Sequence, residues 1–166
     1  MKNEIRIERA SEAEVPDLAP LLARFRVALK GYRGIIAAPD EAAAAAELRE
    51  YLDAGFPVFA AKLGAAVCGC LVCRVEAPCV WTEVLYVLPE FRRRGVASAL
   101  FQRAEELAAS YGEETLYNYV HPNNEGIIAF LRSRGYTVLN LIEVRKPYAG
   151  EALTARIPVG GNEFDY

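Results

Sequence analysis

Apolar and charged residues alternate from Glu4 to Glu8, with Ile5 and Ile7 on one side, which predicts a half-buried first strand. The period then lengthens. Ser11 with Glu14 three positions on has the form of a capping box, and it predicts a helix over residues 12–30 whose early part is limited or bent by Pro16 and Pro20. Gly31-Tyr32-Arg33-Gly34 breaks that helix, Pro39-Asp40 opens a second one rich in alanine, and Asp53-Ala54-Gly55 ends it. Residues 56–62, 66–75 and 80–88 read as three strands joined by short turns, hence an antiparallel meander. Val96, Leu100, Ala104, Leu107, Ala108 and Tyr111 fall at helical spacing, with Gln102, Arg103, Glu105 and Glu106 opposite, and Gly112 suits the position just past the helix end. A strand over 115–120, a helix over 124–134 and a last long strand over 136–145 complete a domain of residues 1–146. The tail, 147–166, spaces Leu153, Ile157, Val159 and Phe164 among glycines and acids. It reads as an edge strand near Pro158, a disordered end, or an arm reaching a partner subunit.

A chain of 166 residues with 53% hydrophobic content suffices for one domain with a real core. Nineteen basic residues against 22 acidic ones give a net charge of −3, which argues against a nucleic-acid binder that relies on neutralising phosphates. The start, Met1-Lys2-Asn3-Glu4-Ile5-Arg6, is charged where a signal peptide would be apolar, and no window approaches a membrane span, so a cytoplasmic protein is expected. Cys68, Cys70, Cys73 and Cys79 crowd one stretch. Strand alternation sets Cys73 opposite Cys68 and Cys70, and no histidine is near in sequence, so buried small hydrophobes are expected and no metal.

Arg92-Arg93-Arg94-Gly95-Val96-Ala97 stands between the strand-like Trp81-Thr82-Glu83-Val84-Leu85-Tyr86-Val87 and the helix that runs to Tyr111. Glycine lets the backbone approach a ligand, the first helical N–H groups have no intrahelical acceptor, and the helix dipole adds positive potential. An anion, a pyrophosphate first among them, is expected there. A solvated basic turn is the plain structural alternative.

Leu85-Tyr86-Val87-Leu88-Pro89-Glu90-Phe91 followed by Arg92-x-x-Gly95-x-Ala97 resembles the acetyl-CoA signature of the GNAT superfamily of N-acetyltransferases. Val120-His121-Pro122-Asn123-Asn124, then Ile127, Ile128 and Phe130, then Arg134-Gly135-Tyr136, resembles the strand, Asn-capped helix and Gly-aromatic exit of that family. The resemblance implies an α/β fold with a mixed, mostly antiparallel central sheet flanked by helices. It implies acetyl-CoA as co-substrate and a primary amine, of a small molecule or of a peptide or protein, as acceptor. The pantetheine arm would lie where the strand ending at Val87 splays from residues 115–120, against backbone groups of Leu85, Tyr86 and Val87. The N–H groups of Arg93, Arg94, Gly95, Val96 and Ala97 would hold the pyrophosphate beside Arg92, and Asn124 would open the next helix. The first two helices and their connection would wall the acceptor site.

A lysine-like amine of pKa ~10.4 costs about 4.6 kcal/mol to deprotonate at neutral pH, an α-amine near ~8 only about 1.4, so a strong base is optional for the second. Glu83 is the first candidate base, at a place resembling where some family members carry a catalytic glutamate. Strict alternation groups it with Leu85 and Val87, as a sheet-edge carboxylate would be. Tyr119 is the second candidate. His121, the single histidine, is a third or else a turn residue. Many family members place a tyrosine seven residues after the helix-opening asparagine; here that position is Leu131. Its absence keeps a second class open, an acyl-CoA-binding or sensing module without turnover. A homodimer involving the tail is the expected assembly.

Overall fold

The computed structural model describes residues 4–166, so the charged start Met1-Lys2-Asn3 lies outside the described residues. Two compact units divide at His121/Pro122. In the first, β1 (Ile5–Arg9), β2 (Val58–Leu63), β3 (Ala66–Glu76) and β4 (Cys79–Val87) form an antiparallel run in the order β1-β2-β3-β4, and β5 (Tyr117–Asn118) joins β4 in parallel. This is the mixed, mostly antiparallel sheet expected.

The helices follow their local signals. Ser11 and Glu14 complete the capping box: the Glu14 carboxylate accepts from Ser11 N at 2.7 Å and Ser11 Oγ accepts from Ala13 N at 3.4 Å. A single 3-10 turn, Glu12–Glu14, then leads into α1 (Val15–Tyr32), with Pro16 in the first turn, where a missing N–H costs nothing. Asp40 caps α2 (Glu41–Asp53), its Oδ1 accepting from Ala43 N at 2.9 Å. Leu18, Leu22, Ala44 and Leu48 from these helices pack with Val58, Ala60, Cys70, Val72, Val84 and Tyr86 on one sheet face. The opposite face meets α3 (Val96–Ser110), whose Val96, Leu100, Phe101, Ala104 and Ala108 are buried. Because both faces are covered, β3 is buried continuously from Cys68 to Cys73 instead of alternating. Gly69 permits the helix to come this close: a Cβ there would meet Leu100 Cδ1 at 3.0 Å, Val96 Cγ1 at 3.1 Å and the Tyr86 carbonyl at 3.1 Å.

The cysteines lie inside this sandwich. Cys68 is the extra residue of a bulge between Ala61 and Lys62 on the partner strand, and its thiol reaches the Ala61 carbonyl at 3.3 Å. Burial pushes the thiols of Cys70 and Cys73 up to about 12, so both are protonated near neutrality. Among the described residues no group of three or more His, Cys, Asp or Glu is placed to hold a metal. No described helix is long and apolar enough to cross a membrane.

In the second unit Asn124 caps α4 (Glu125–Ser133), and β6 (Arg156–Val159) pairs antiparallel with β7 (Asn162–Asp165) as a separate hairpin. The tail therefore forms two strands that pair with each other, and Ile157 faces Phe164 across them. Two expectations fail. Residues 115–120 contribute only Tyr117–Asn118 as strand, and residues 136–145 form none. A period-two pattern identifies a chain that could be extended, but a strand exists only where a neighbour completes the ladder, and none does so here. Val138, Leu139, Leu141 and Val144 are left exposed.

Candidate active site

Three features of the first unit converge on the C-terminal half of β4. The first is the loop that follows it. A 3-10 turn, Pro89–Phe91, returns the chain, and Arg92 Nε donates to the Val87 carbonyl at 2.9 Å while its guanidinium lies 5.6 Å from the Tyr86 ring centroid. Arg92 thus braces the loop. Arg94 stacks on Phe91 at 5.6 Å. Arg93 and Gly95 are left-handed, at φ 61° and 86°, and Gly95 is the N-cap of α3, its carbonyl accepting from Ala99 N at 3.0 Å. Within the described residues the N–H groups of Arg93, Arg94, Gly95, Val96 and Ala97 have no protein acceptor. Successive amides turned outward at a helix start make a concavity for a phosphorylated group. A Cβ at Gly95 would touch only Ile5 Cδ1, at 3.8 Å, so the glycine is required there by its dihedral angles and not by lack of room.

The second feature is the gap. β4 and β5 pair at Trp81/Tyr117 and Thr82/Asn118 and nowhere further along. Leu88 N donates to the Cys68 carbonyl and Tyr86 lies opposite Cys70, so these residues direct their backbone polar groups toward β3. Alternation then turns those of Leu85 and Val87 to the uncovered side, where an extended amide-bearing chain could pair with them, the Val87 carbonyl there also accepting from Arg92. The backbone of Tyr86 is taken up within the sheet, and its side chain packs edge-on to Phe25 at 6.2 Å.

The third is a polar cluster that alternation misplaces. Val84 pairs with Val72 but Thr82 pairs with Cys73, which makes Glu83 the extra residue of a β-bulge. The bulge moves Glu83 off the face of Leu85 and onto that of Arg74 and Trp81, correcting the grouping expected from strand parity. Glu83 Oε1 lies 3.1 Å from Arg74 Nε, and Arg74 Nη2 donates to Tyr119 Oη at 3.1 Å. The Arg74 guanidinium also covers the Trp81 ring at 4.6 Å, and Trp81 packs against Tyr117 at 5.4 Å. Glu83 and Tyr119 are therefore brought together on one cation, with Glu83 a quarter exposed and Tyr119 63% exposed.

On α1 and α2, Arg26 Nε bonds both Glu47 oxygens at 3.1 Å, Tyr51 Oη donates to Glu47 at 2.7 Å, and Arg26 also reaches Tyr51. Burial and the Glu47 carboxylate together raise the Tyr51 phenol, with Glu83 adding to the effect, so it is a fixed donor. Burial works to raise the Glu47 carboxyl, but the bonds from Arg26 and Tyr51 outweigh it and hold it below the ordinary carboxylate value. His121 lies 6.0 Å from the Tyr32 ring, and burial, with Arg33 nearby, lowers it. Asn124 lies in the second unit, where its Oδ1 accepts from Ile127 N at 3.3 Å, and Leu131 is the buried residue of α4. Arg74, Arg26 and Tyr51 escaped the sequence reading. Arg74 had a signal, since it stands at the end of a buried strand where a lone arginine needs partners.

An anion cradle at a helix start, beside an open sheet edge and a carboxylate cluster, is the layout of an acyl-carrier-dependent transferase. The acetyltransferase (GNAT) family model matches residues 24–136, and the chain belongs to that family, the acetyl-CoA-dependent N-acetyltransferases. The fold is similar to that of the aminoglycoside N-acetyltransferase AAC(6')-Iy in complex with a bisubstrate analog of CoA and acetylneamine, at 22% identity and TM-score 0.67, over 87% of this chain and 99% of that one. It is similar also to an aminoglycoside 6'-N-acetyltransferase from Acinetobacter haemolyticus, at 23% identity and TM-score 0.66, over 86% and 98% of the two chains. A ribosomal-protein-alanine N-acetyltransferase from Brucella melitensis matches at 16% identity and TM-score 0.67, over 87% and 100%. No curated protein sequence matches significantly. Acetyl-CoA is the co-substrate and an amine the acceptor of the transfer.

Proposed function

We propose that Glu83 and Tyr119 carry the proton traffic of this acetyl transfer, with the CoA arm on the open edge at Leu85 and Val87 and its pyrophosphate on the amides of residues 93–97. The observation that carries the reading is the β-bulge at Glu83, which sets a carboxylate beside the gap at the point where β4 and β5 part. Glu83 takes a proton from the acceptor ammonium, directly or through one water. The freed amine attacks the thioester carbonyl, the C–S bond of the tetrahedral adduct breaks, the departing sulfur takes its proton from Tyr119 or solvent, and the second proton shed by the nitrogen returns to Tyr119 or to solvent, leaving the neutral amide. Leu131 leaves no phenol on α4 for that last step. His121, held below its ordinary value by burial and Arg33, is neutral at pH 7 and is the competing candidate for the base.

Three carboxylates near this region, Glu47, Glu76 and Glu83, are held by two arginines, Arg26 and Arg74, which leaves one net negative charge. That balance favours a monoamine over a polycation such as the aminoglycosides acted on by the similar enzymes. Steady-state kinetics test both points. Glu83→Gln or Tyr119→Phe is expected to lower kcat about tenfold or more while the acetyl-CoA affinity stays within about twofold. Full activity of both variants across pH ~6 to ~9 contradicts the assignment. In an amine panel, polyamines turning over faster than monoamines contradicts the acceptor class.

The transferase domain is read as residues 1–146, in the cytoplasm, with a homodimer as the assembly. The exposed Val138, Leu139, Leu141 and Val144 support association of a second copy there, together with the tail. Light scattering on the full chain and on a chain ending at Gly150 tests this. A monomer at micromolar concentration removes the dimer, and an unchanged dimer after truncation removes the tail's part in it.

A further inference from the structure

Arg74 is the group on which the two candidate proton carriers meet. It ends the buried run of β3, lies opposite Trp81, and holds three side chains from three places in the chain. Nε is 3.1 Å from Glu83 Oε1, Nη2 donates to Tyr119 Oη at 3.1 Å, and Nη1 is 3.4 Å from Glu76 Oε1. Its planar face rests on Trp81 at 4.6 Å and approaches Tyr119 at 5.8 Å. A guanidinium fork held at its edges by three side chains and packed against Trp81 has few alternative rotamers, and whatever it holds inherits that order. Its Nε is buried yet not aligned for a hydrogen bond with Glu83 despite the short separation.

We infer that Arg74 is a positioning residue: it sets Glu83 and Tyr119 at a fixed separation at the mouth of the β4/β5 gap, so that the proton removed from the amine and the one returned to sulfur are handled by neighbours. This rests on the proton roles given above to Glu83 and Tyr119. A strut that merely stabilised the sheet would act on folding and not on turnover, which makes the two separable.

The test uses the full chain with Arg74→Met and Arg74→Lys beside Glu83→Gln, Tyr119→Phe and the double variant Arg74→Met/Glu83→Gln. Arg74→Met is expected to lower kcat about tenfold or more with acetyl-CoA affinity within about twofold. Methylguanidinium in solution restores part of the rate, and the Met substitution costs markedly less on the Glu83→Gln background because the partner is already gone. Arg74→Lys, which keeps charge and stem but not the fork, falls between wild type and Met and covers the case in which the Met variant does not fold. Wild-type kcat for Arg74→Met or for Arg74→Lys overturns the inference, as does an equal loss in both backgrounds. If Glu83→Gln and Tyr119→Phe are slow while Arg74→Met is fast, the inference alone fails. If both are as fast as wild type, the proton reading fails and the inference with it.

Discussion

Gly95 provides the sharpest single-residue test of the cofactor loop. Its φ of 86° and ψ of 0° lie in the left-handed region, where an L-residue is strained by roughly 1–2 kcal/mol and a β-branched one by more. Nothing in the protein crowds a Cβ there, since the nearest atom, Ile5 Cδ1, is 3.8 Å away. A Gly95→Val loop therefore relaxes in the free protein, and its amides turn out of register. Binding must then restore the strained conformation, so affinity for CoA is expected to fall at least about tenfold, or ~1.4 kcal/mol. The alternative of abandoning the conformation loses charge-assisted hydrogen bonds of about 1.5–3 kcal/mol each, which is dearer. Gly95→Asn separates conformation from crowding, because asparagine tolerates the left-handed region while carrying a larger side chain than alanine. Calorimetric titration with CoA should rank affinity Gly, Asn, Ala, Val. Unchanged affinity in the Val variant refutes the loop as pyrophosphate site, and Asn binding as poorly as Val refutes the conformational argument in favour of steric exclusion.

Gly69→Ala forces a methyl against Leu100, Val96 and the Tyr86 carbonyl, so it is expected to destabilise the fold by about 1–3 kcal/mol in thermal melts. Wild-type Tm would show that α3 does not sit on β3 as described. Leu131→Tyr places a larger polar side chain at a buried position of α4 and is expected to lower Tm with no gain in kcat; a faster enzyme would show that leaving-group protonation limits turnover. His121 has a folded-state pKa below its ordinary 6.5 because of burial and Arg33. The unfolded chain thus binds the proton first, and stability present above pH 6.5 is lost as pH falls from 6.5 through the lower folded-state value. Chemical denaturation of wild type and His121→Gln should show this loss in wild type and a smaller one in the variant, and parallel curves would exclude the assignment.

The parts of this protein that are read locally were legible in its residues. The capping residues Ser11 and Asp40, the meander and most of the face of α3 are set by neighbours within a few positions, and the structure has them where the pattern put them, except that Tyr111 is exposed past the helix end and Phe101 joins the buried face. The basic loop was legible for the same reason. What depended on partners was not. The bulge at Glu83 arises from the pairing offset between Val72/Val84 and Cys73/Thr82, which alternation cannot reveal, and with it went the face on which the carboxylate stands. Arg74 and Tyr51 matter through contacts made across 45 and 25 positions of chain, to Tyr119 and Arg26 respectively. Residues 136–145 have the pattern of a strand and lack the neighbour that would make them one.

Acetyl transfer from acetyl-CoA to an amine by way of the Glu83 cluster is open to one kinetic comparison. Continuous detection of free CoA thiol, with acetyl-CoA and a panel of primary amines, tests it most directly when wild type and Glu83→Gln are run together. Amine-dependent thiol release by wild type is expected, with a matching N-acetylated product, and a loss of about tenfold or more in the variant at undiminished acetyl-CoA binding. Equal thiol release by the two proteins, or acetyl-CoA binding by wild type with no release for any amine, would contradict it.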